Sequence, residues 1–441
     1  MLKIKIKDVY YIVLFLMPIG ITGIGLADES SMVGNVSFSD FFLAILIVLL
    51  LLGKRIKGCN LDNSAIKKKI YKFELLFFLF IMLSIVNFMR FNEINYRSGF
   101  LSVIKILICF IYANTFMDFL LNCNRKEWER FVSVATASCF VFSSCCIIGA
   151  LLFVFKINNP FIDYYVTSFR ATGLQEDPNL AAIYQLMSIS YTLVWMRFTK
   201  RKRLSKIVLA CVILGALLTV SKTCMITMVL CTFSTLFLSA ISKNDRFTIR
   251  LLVVIFIAGI TIFIVALRTN VLDIWISRLS MLTEGSGSAM TGRDLLWEAA
   301  FKVVNASPLN FIFGVGIGQY SDVARAYGIA TTNTRAHNTL LSFWVECGIV
   351  VPLLIIILFI IVLWKLIKLS IRKKDYFALC CFWGILSIAI FMNSLNFQNN
   401  RMAYVFLVFV LVSLYRMKRG DICLANKRND VSLLKESVVE N

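Results

Sequence analysis

The sequence predicts an all-α integral membrane protein: a polytopic bundle of about 12 transmembrane helices, both termini cytoplasmic, with one large, partly helical extracytoplasmic loop. Three observations predict it. First, 59% of the 441 residues are hydrophobic and only 16% charged, with a mean hydropathy of +0.80. Soluble domains are roughly 45–50% apolar and about 25% charged, so too little polar surface remains here to coat a water-soluble core. Second, the apolar residues fall into runs near the roughly 20 residues that a membrane-spanning helix needs. Third, the basic residues punctuate those runs unevenly. A soluble enzyme, a disordered chain and a disulfide-stapled secreted domain are excluded.

The runs are 9–26, 38–53, 73–89, 99–121, 131–155, 179–198, 207–220, 224–241, 251–267, 339–363, 376–393 and 402–415. With the N-terminus inside, the inner segments carry 33 Lys and Arg and the outer ones 12, Lys105 lying within a span. Cytoplasmic loops collect such cations, which places both termini in the cytoplasm. The net charge of +21 therefore reflects topology and does not call for a nucleic-acid partner. Lys3, Lys5 and Lys7 before the first run could be mistaken for a signal peptide, but eleven further runs favour an uncleaved first helix. Residues 1–415 read as a single membrane domain and 416–441 as a disordered cytoplasmic tail.

Of 13 cysteines, ten fall within runs, and Cys59, Cys123 and Cys423 face the cytoplasm. None lies in an outer loop, so no disulfide framework is expected. Neighbouring pairs such as Cys145–Cys146 lack metal-ligand spacing and read as packing residues.

Two outer loops stand out: 156–178, of medium length, and 268–338, of about 70 residues. Long loops in compact proteins are usually functional or disordered. In the longer one, Thr291 and Asp294 form the start of an amphipathic helix whose apolar positions are Leu296, Ala299, Ala300, Val303 and Val304, ending at Ser307-Pro308. Arg293 falls in its first turn, where the helix dipole disfavours a cation by about 0.3–1 kcal/mol. A residue placed against a local rule is a functional candidate, and an arginine beside free backbone N–H groups suits a phosphate. Gly314, Gly316 and Gly318 alternate without the strand–turn–helix unit of a nucleotide site. They read as a tight turn that brings backbone close to a helix or ligand.

His337, the only histidine, stands at the mouth of the tenth run in Thr334-Arg335-Ala336-His337-Asn338-Thr339. There it is either a structural residue or a proton acceptor near neutral pH. Asn338 or Thr339 would cap the helix. Glu346 lies eight residues beyond Asn338, roughly 12 Å deeper along a helix. A carboxylate at that depth is expensive unless it is paired or functional. In the medium loop, Asp177 as N-cap and Pro178 as first residue start the sixth run, with Arg170 just before them. Thr219–Thr223 is a short polar break in which Lys222 either touches a phosphate or snorkels to the interface.

These residues resemble the bacterial O-antigen polymerase and ligase superfamily of integral-membrane glycosyltransferases. The family's Arg–Gly–(Asp/His)–Pro–Asn block is matched by Arg170, Gly173, Pro178 and Asn179, and its Ser–Arg/Lys pair by Ser221-Lys222. Its Gly–Arg…Trp…Pro…Gly-x-Gly segment is matched by Gly292, Arg293, Trp297, Pro308, Gly314 and Gly316. Its His–Asn–x–x–Leu…Glu–x–Gly block is matched by His337, Asn338, Leu341, Glu346 and Gly348. The blocks occur in the family's order over about residues 165–350, whereas the first five runs match in hydropathy alone. Lys222 stands where many members carry arginine, which keeps the charge and loses the bidentate fork.

The resemblance implies a substrate-binding set of Arg170, Lys222, Arg293, Arg335, Asn338 and Glu346, with His337 catalytic and neither metal nor other cofactor. It implies an undecaprenyl-pyrophosphate-linked oligosaccharide as donor, handled at the outer face of the bacterial cytoplasmic (inner) membrane. Membrane lipid, a chain-length regulator and a flippase are the implied partners, and there is no nucleic acid. The activity implied is inverting polymerisation of repeat units of O-antigen or capsular polysaccharide in cell-envelope biosynthesis. Ligation of the finished glycan to the lipid A core is the alternative. A twelve-span carrier or flippase is the competing class, but such proteins place charges along a central path or use inverted repeats, and here the unusual residues gather on one face.

Overall fold

The computed structural model describes residues 5–20, 37–52, 64–89, 96–165, 168–242, 293–329, 336–396 and 398–418. The run 251–267, Arg335 and most of the tail lie outside the described residues. The elements before the long loop are α1 (Ile6–Leu16), α2 (Phe38–Leu51), α3 (Ser64–Phe88), α4 (Tyr96–Asn122), α5 (Arg125–Val154), β1 (Ile162–Tyr165), β2 (Ser168–Ala171), α6 (Pro178–Phe198), α7 (Lys202–Leu218) and α8 (Lys222–Ile241). After it come α9 (Arg293–Asn305), α10 (Pro308–Phe313), α11 (Tyr320–Ala326), α12 (Thr339–Cys347), α13 (Val350–Lys373), α14 (Tyr376–Phe391) and α15 (Arg401–Lys418).

The architecture is a helical membrane bundle. Among the described residues, α3, α4, α5, α8 and α13 are each long and apolar enough to cross a bilayer. Exposed aliphatic and aromatic side chains such as Leu75, Val229, Phe233 and Ile360 stud these helices. A soluble protein would bury such a surface, and a bilayer solvates it.

The interior is built around α5, α6, α14 and α15. Trp128 and Phe131 of α5 stack on Phe409 of α15 at ring separations of 5.7 and 5.6 Å. Aromatic pairs of this kind add to the burial of large apolar rings. Trp128 also donates its indole N–H to Ser413 Oγ at 3.0 Å, so its one polar atom is satisfied. Along α6 and α14 nearly every position is buried, as expected of helices surrounded by protein.

Four sequence expectations are corrected. The first run ends early as a helix: α1 stops at Leu16, because Pro18 has no amide hydrogen to continue the ladder. The medium loop is not purely irregular. β1 and β2 form an antiparallel hairpin in which Asp163 and Arg170 are backbone register partners, a small exception to the all-α class. Cys123 is buried rather than facing the cytoplasm, its sulfur 3.2 Å from Arg416 Nη1. The tenth run is two helices, because the chain breaks at Gly348 between α12 and α13.

Arg401, counted above as an outer-loop cation, instead closes a partly buried network. Its guanidinium meets both Asp40 oxygens at 2.8 and 2.7 Å, tying the start of α15 to the start of α2. Tyr112 donates to the same carboxylate at 2.8 Å. A bidentate pair with each side chain 16% exposed is mostly desolvated, so removing one partner strands the other charge at a cost of roughly 3 kcal/mol. Arg401→Met should therefore lower the melting temperature of the detergent-purified protein. The double variant D40N/R401M should recover part of that loss, and strictly additive losses would disprove the coupling.

Candidate functional site

Two groups of the sequence-predicted residues assemble, each on helix ends. The first forms where α6 and α8 begin. Asp177 caps α6, accepting the Leu180 amide at 3.3 Å, and Pro178 occupies the first helical position. Both features match the sequence reading. Asn179 then offers its side-chain carbonyl to two donors: Arg170 Nη2 at 3.1 Å and Ser221 Oγ at 2.9 Å. Arg170 Nε also reaches the Thr219 carbonyl at 3.3 Å. Two of the guanidinium's donors thus fix its plane against the α7–α8 corner. Ser221 caps α8 toward the Cys224 amide, which leaves Lys222 half-buried as the first residue of that helix. Two cations beside two helix N-termini create a region of positive potential suited to an anion.

The second group forms where α12 begins. His337 has φ +46°, in the left-handed region that β-carbon-bearing residues rarely enter. The flanking residues are pinned on both sides. Before it, Trp297 of α9 donates its indole N–H to the Ala336 carbonyl at 2.8 Å. After it, Asn338 caps α12 by accepting the Leu341 amide at 3.0 Å. Thr339 donates its amide to Met392 O at 2.7 Å and its hydroxyl to Leu395 O at 2.6 Å. Strain of this kind persists only where its surroundings over-determine it, and it concentrates at functional sites.

Glu346 is buried near the end of α12 and accepts from Gln398 Nε2 at 3.3 Å. Gln398 went unnoticed in the sequence. It lies in a nine-residue linker between α14 and α15 whose only signal is an excess of amide side chains.

The glycine turn explains why α12 stops there. Val315 and Gly316 donate their amides to Val345 and Glu346 carbonyls at 2.8 and 3.0 Å, and the Ile349 amide reaches Phe311 O at 3.1 Å. A Cβ at Gly314 would sit 2.4 Å from Glu346 carbonyl atoms, and one at Gly348 would sit 1.9 Å from Ile312 O. The alternate glycines are thus the close-approach turn expected, and its neighbour is the Glu346 backbone. α9 packs its apolar face (Ala300, Val303, Val304) into the same small core as Val315, Leu341 and Val345, so it lies against the bundle. Burial and the nearby Glu346 carboxylate push the Tyr320 phenol well above its usual range.

Both groups share one end of the bundle. Arg197 near the end of α6 lies over the Tyr376 ring at the start of α14, 5.7 Å away, so those helices run antiparallel. The end of α14 therefore adjoins the start of α6. The Ser221–Asn179 bond sets α8 beside α6, and the Thr339–Met392 bond sets α12 at the end of α14. Arg293 opens α9 one turn before Trp297, which holds the residue preceding His337. Arg335 lies outside the described residues. Among the described residues, no three His, Cys, Asp or Glu side chains gather as a metal site would require.

Residues 207–356 match the sequence profile of the family described as O-Antigen ligase. Over that segment the chain is similar to the O-antigen ligase and polymerase superfamily. The matched O-antigen ligase-type segment is about a third of the chain, and it holds Lys222, Arg293, His337, Asn338 and Glu346. Arg170 lies outside it, yet its side chain is bonded to Thr219 inside it. A search of curated proteins returns no match.

Gly348→Ala should abolish folding of this domain, because a methyl group there meets backbone 1.9 Å away at φ +80°. Gly328 supplies the control: its φ is +65° with nothing within 4 Å. Gly328→Ala should therefore cost only strain of about 1 kcal/mol. Expression level and melting temperature of the two variants separate these outcomes.

Proposed function

We propose that this protein is a glycosyltransferase that polymerises lipid-linked oligosaccharide repeat units of O-antigen or capsular polysaccharide. It acts at the outer face of the cytoplasmic membrane, with an undecaprenyl-pyrophosphate-linked glycan as donor. The observation that carries the reading is the gathering of Arg170, Lys222 and His337 at one end of the bundle, on elements joined to an O-antigen ligase-type segment.

In this reading Arg170, Lys222, Arg293 and Arg335 hold the pyrophosphate and neutralise the charge that grows as it departs. His337 accepts the proton from the attacking sugar hydroxyl. The new glycosidic bond forms as the anomeric carbon–pyrophosphate bond breaks, and the pyrophosphate keeps the electron pair, so the anomeric centre inverts. Asn338 shapes the start of α12, and Glu346 with Gln398 supplies a polar contact for sugar hydroxyls. The constrained backbone of His337 supports this assignment, since it holds the imidazole at a fixed place at the helix mouth.

The second reading is a ligase that transfers the finished glycan to the lipid A core. It is favoured by the description of the matched family, O-Antigen ligase.

Deletion of the gene in its own host separates the readings through the length of lipid-linked and surface glycan. A surface carrying single repeat units marks a polymerase. Full-length chains stranded on the carrier lipid, with none on lipid A, mark a ligase. Units held on the cytoplasmic side would overturn both and point to a transporter. In the complemented strain, His337→Ala should reduce transfer by roughly 10²–10⁴, and Arg293→Ala should also fail to restore the ladder. Full activity of His337→Ala at normal expression would refute its role as base.

A further inference from the structure

A cavity of about 1310 Å³ lies between α3, α13 and α15, with parts of α4 and α14 behind it. Its walls are aromatic and aliphatic, among them Phe73, Phe359 and Leu411. On α13 the lining runs from Ile355 to Lys373, roughly 27 Å at the helical rise, close to the thickness of a bilayer's hydrocarbon core. One end reaches Thr339 and Gln398, beside the site described above. The other opens among six cations from three helices: Lys69 of α3, Lys365, Lys368, Arg372 and Lys373 of α13, and Lys418 of α15.

These six cations are all exposed, and none forms an ion pair among the described residues. Other cations on the same helices or the helix ends nearby do pair: Lys67 with Asp118, Lys7 with Glu127, and Arg125 with Glu129. The acid at this rim is Asp375, whose carboxylate is committed to capping α14 at the Ala378 amide. Glu74, the other lining carboxylate, binds Asn114.

An elongated apolar cavity whose charge lies at one end matches an amphiphile with a negative head. We propose that this cleft binds an anionic diacyl phospholipid of the phosphatidylglycerol class. The phosphate sits among Lys365, Lys368, Arg372 and their neighbours, and the acyl chains lie along Phe359 and Leu411. Basic pockets between membrane helices recognise anionic headgroups in this way, and the lysine stems extend the apolar wall toward the head. The headgroup end of this cleft is at the opposite end of the bundle from the Arg170–His337 end, and the proposal stands whether or not the glycosyl-transfer reading holds.

The test uses the full chain, purified in mild detergent and titrated with phosphatidylglycerol or phosphatidylethanolamine under native mass spectrometry. Phosphatidylglycerol should be retained roughly tenfold better, since each basic group near an anionic headgroup contributes on the order of 1 kcal/mol. The triple variant K365Q/K368Q/R372Q should lose that preference. Leu411→Trp, which fills the cavity with every charge in place, should lose retention of both lipids and decides the matter alone if the triple variant does not fold. Equal retention of the two lipids by the wild-type chain overturns the proposal. So does phosphatidylglycerol retention unchanged in Leu411→Trp, or displacement of the lipid by undecaprenyl pyrophosphate at equal concentration.

Discussion

The structure depends on a backbone-to-backbone clasp between residues 311–316 and 345–349. A helix interrupted inside a membrane protein leaves amide and carbonyl groups that hydrocarbon cannot satisfy. Here the break at Gly348 is tolerated because the neighbouring turn takes up the exposed groups at Val345, Glu346 and Ile349. Side chains at Gly314 or Gly348 would force the two segments apart. The clasp sets the length of α12, and with it the depth of Glu346 and the position of His337 at the helix mouth. Asn87 of α3 donates into the same turn, at the Gly314 carbonyl, so a long helix of the bundle is tied to the clasp as well.

Charge in this molecule is placed by helix polarity. At one end, Arg170 and Lys222 stand beside the N-termini of α6 and α8, where the local field already favours an anion. Asn179 and Ser221 spend their hydrogen bonds on orienting that corner. At the other end, basic side chains follow helix C-termini, as at Arg372 and Lys373 of α13 and Lys418 of α15. The Asp40–Arg401 pair is different in kind. It is a mostly desolvated lock between elements more than 300 residues apart in sequence, and it neutralises a cation that a count of loop charges treats as free.

Much of the fold was legible in the sequence because lipid imposes a one-dimensional rule: a run of apolar residues becomes a helix. Local rules also carried over. Asp177-Pro178 began a helix, Asn338 capped one, and the spacing of Ala300, Val303 and Val304 gave the buried face of α9. What escaped was set by contacts distant in sequence. Hydropathy cannot register the break at Gly348, since apolar residues continue on both sides and only the approach of Ile312 forbids a continuous helix. The hairpin at 162–171 was missed because β1 and β2 are four residues each, too short for alternation to declare itself. Of the site, the motif residues were readable one block at a time. Their convergence at one end, and the contribution of Gln398, required the packing of α6, α8, α12 and α14.

The solitary histidine has a consequence for observation. Because the chain holds a single imidazole, specific isotope labelling of that residue type would give a spectrum with one reporting group and no assignment problem. Its chemical shift would follow protonation at the helix mouth directly, and its line width would follow motion of the Ala336–Thr339 corner.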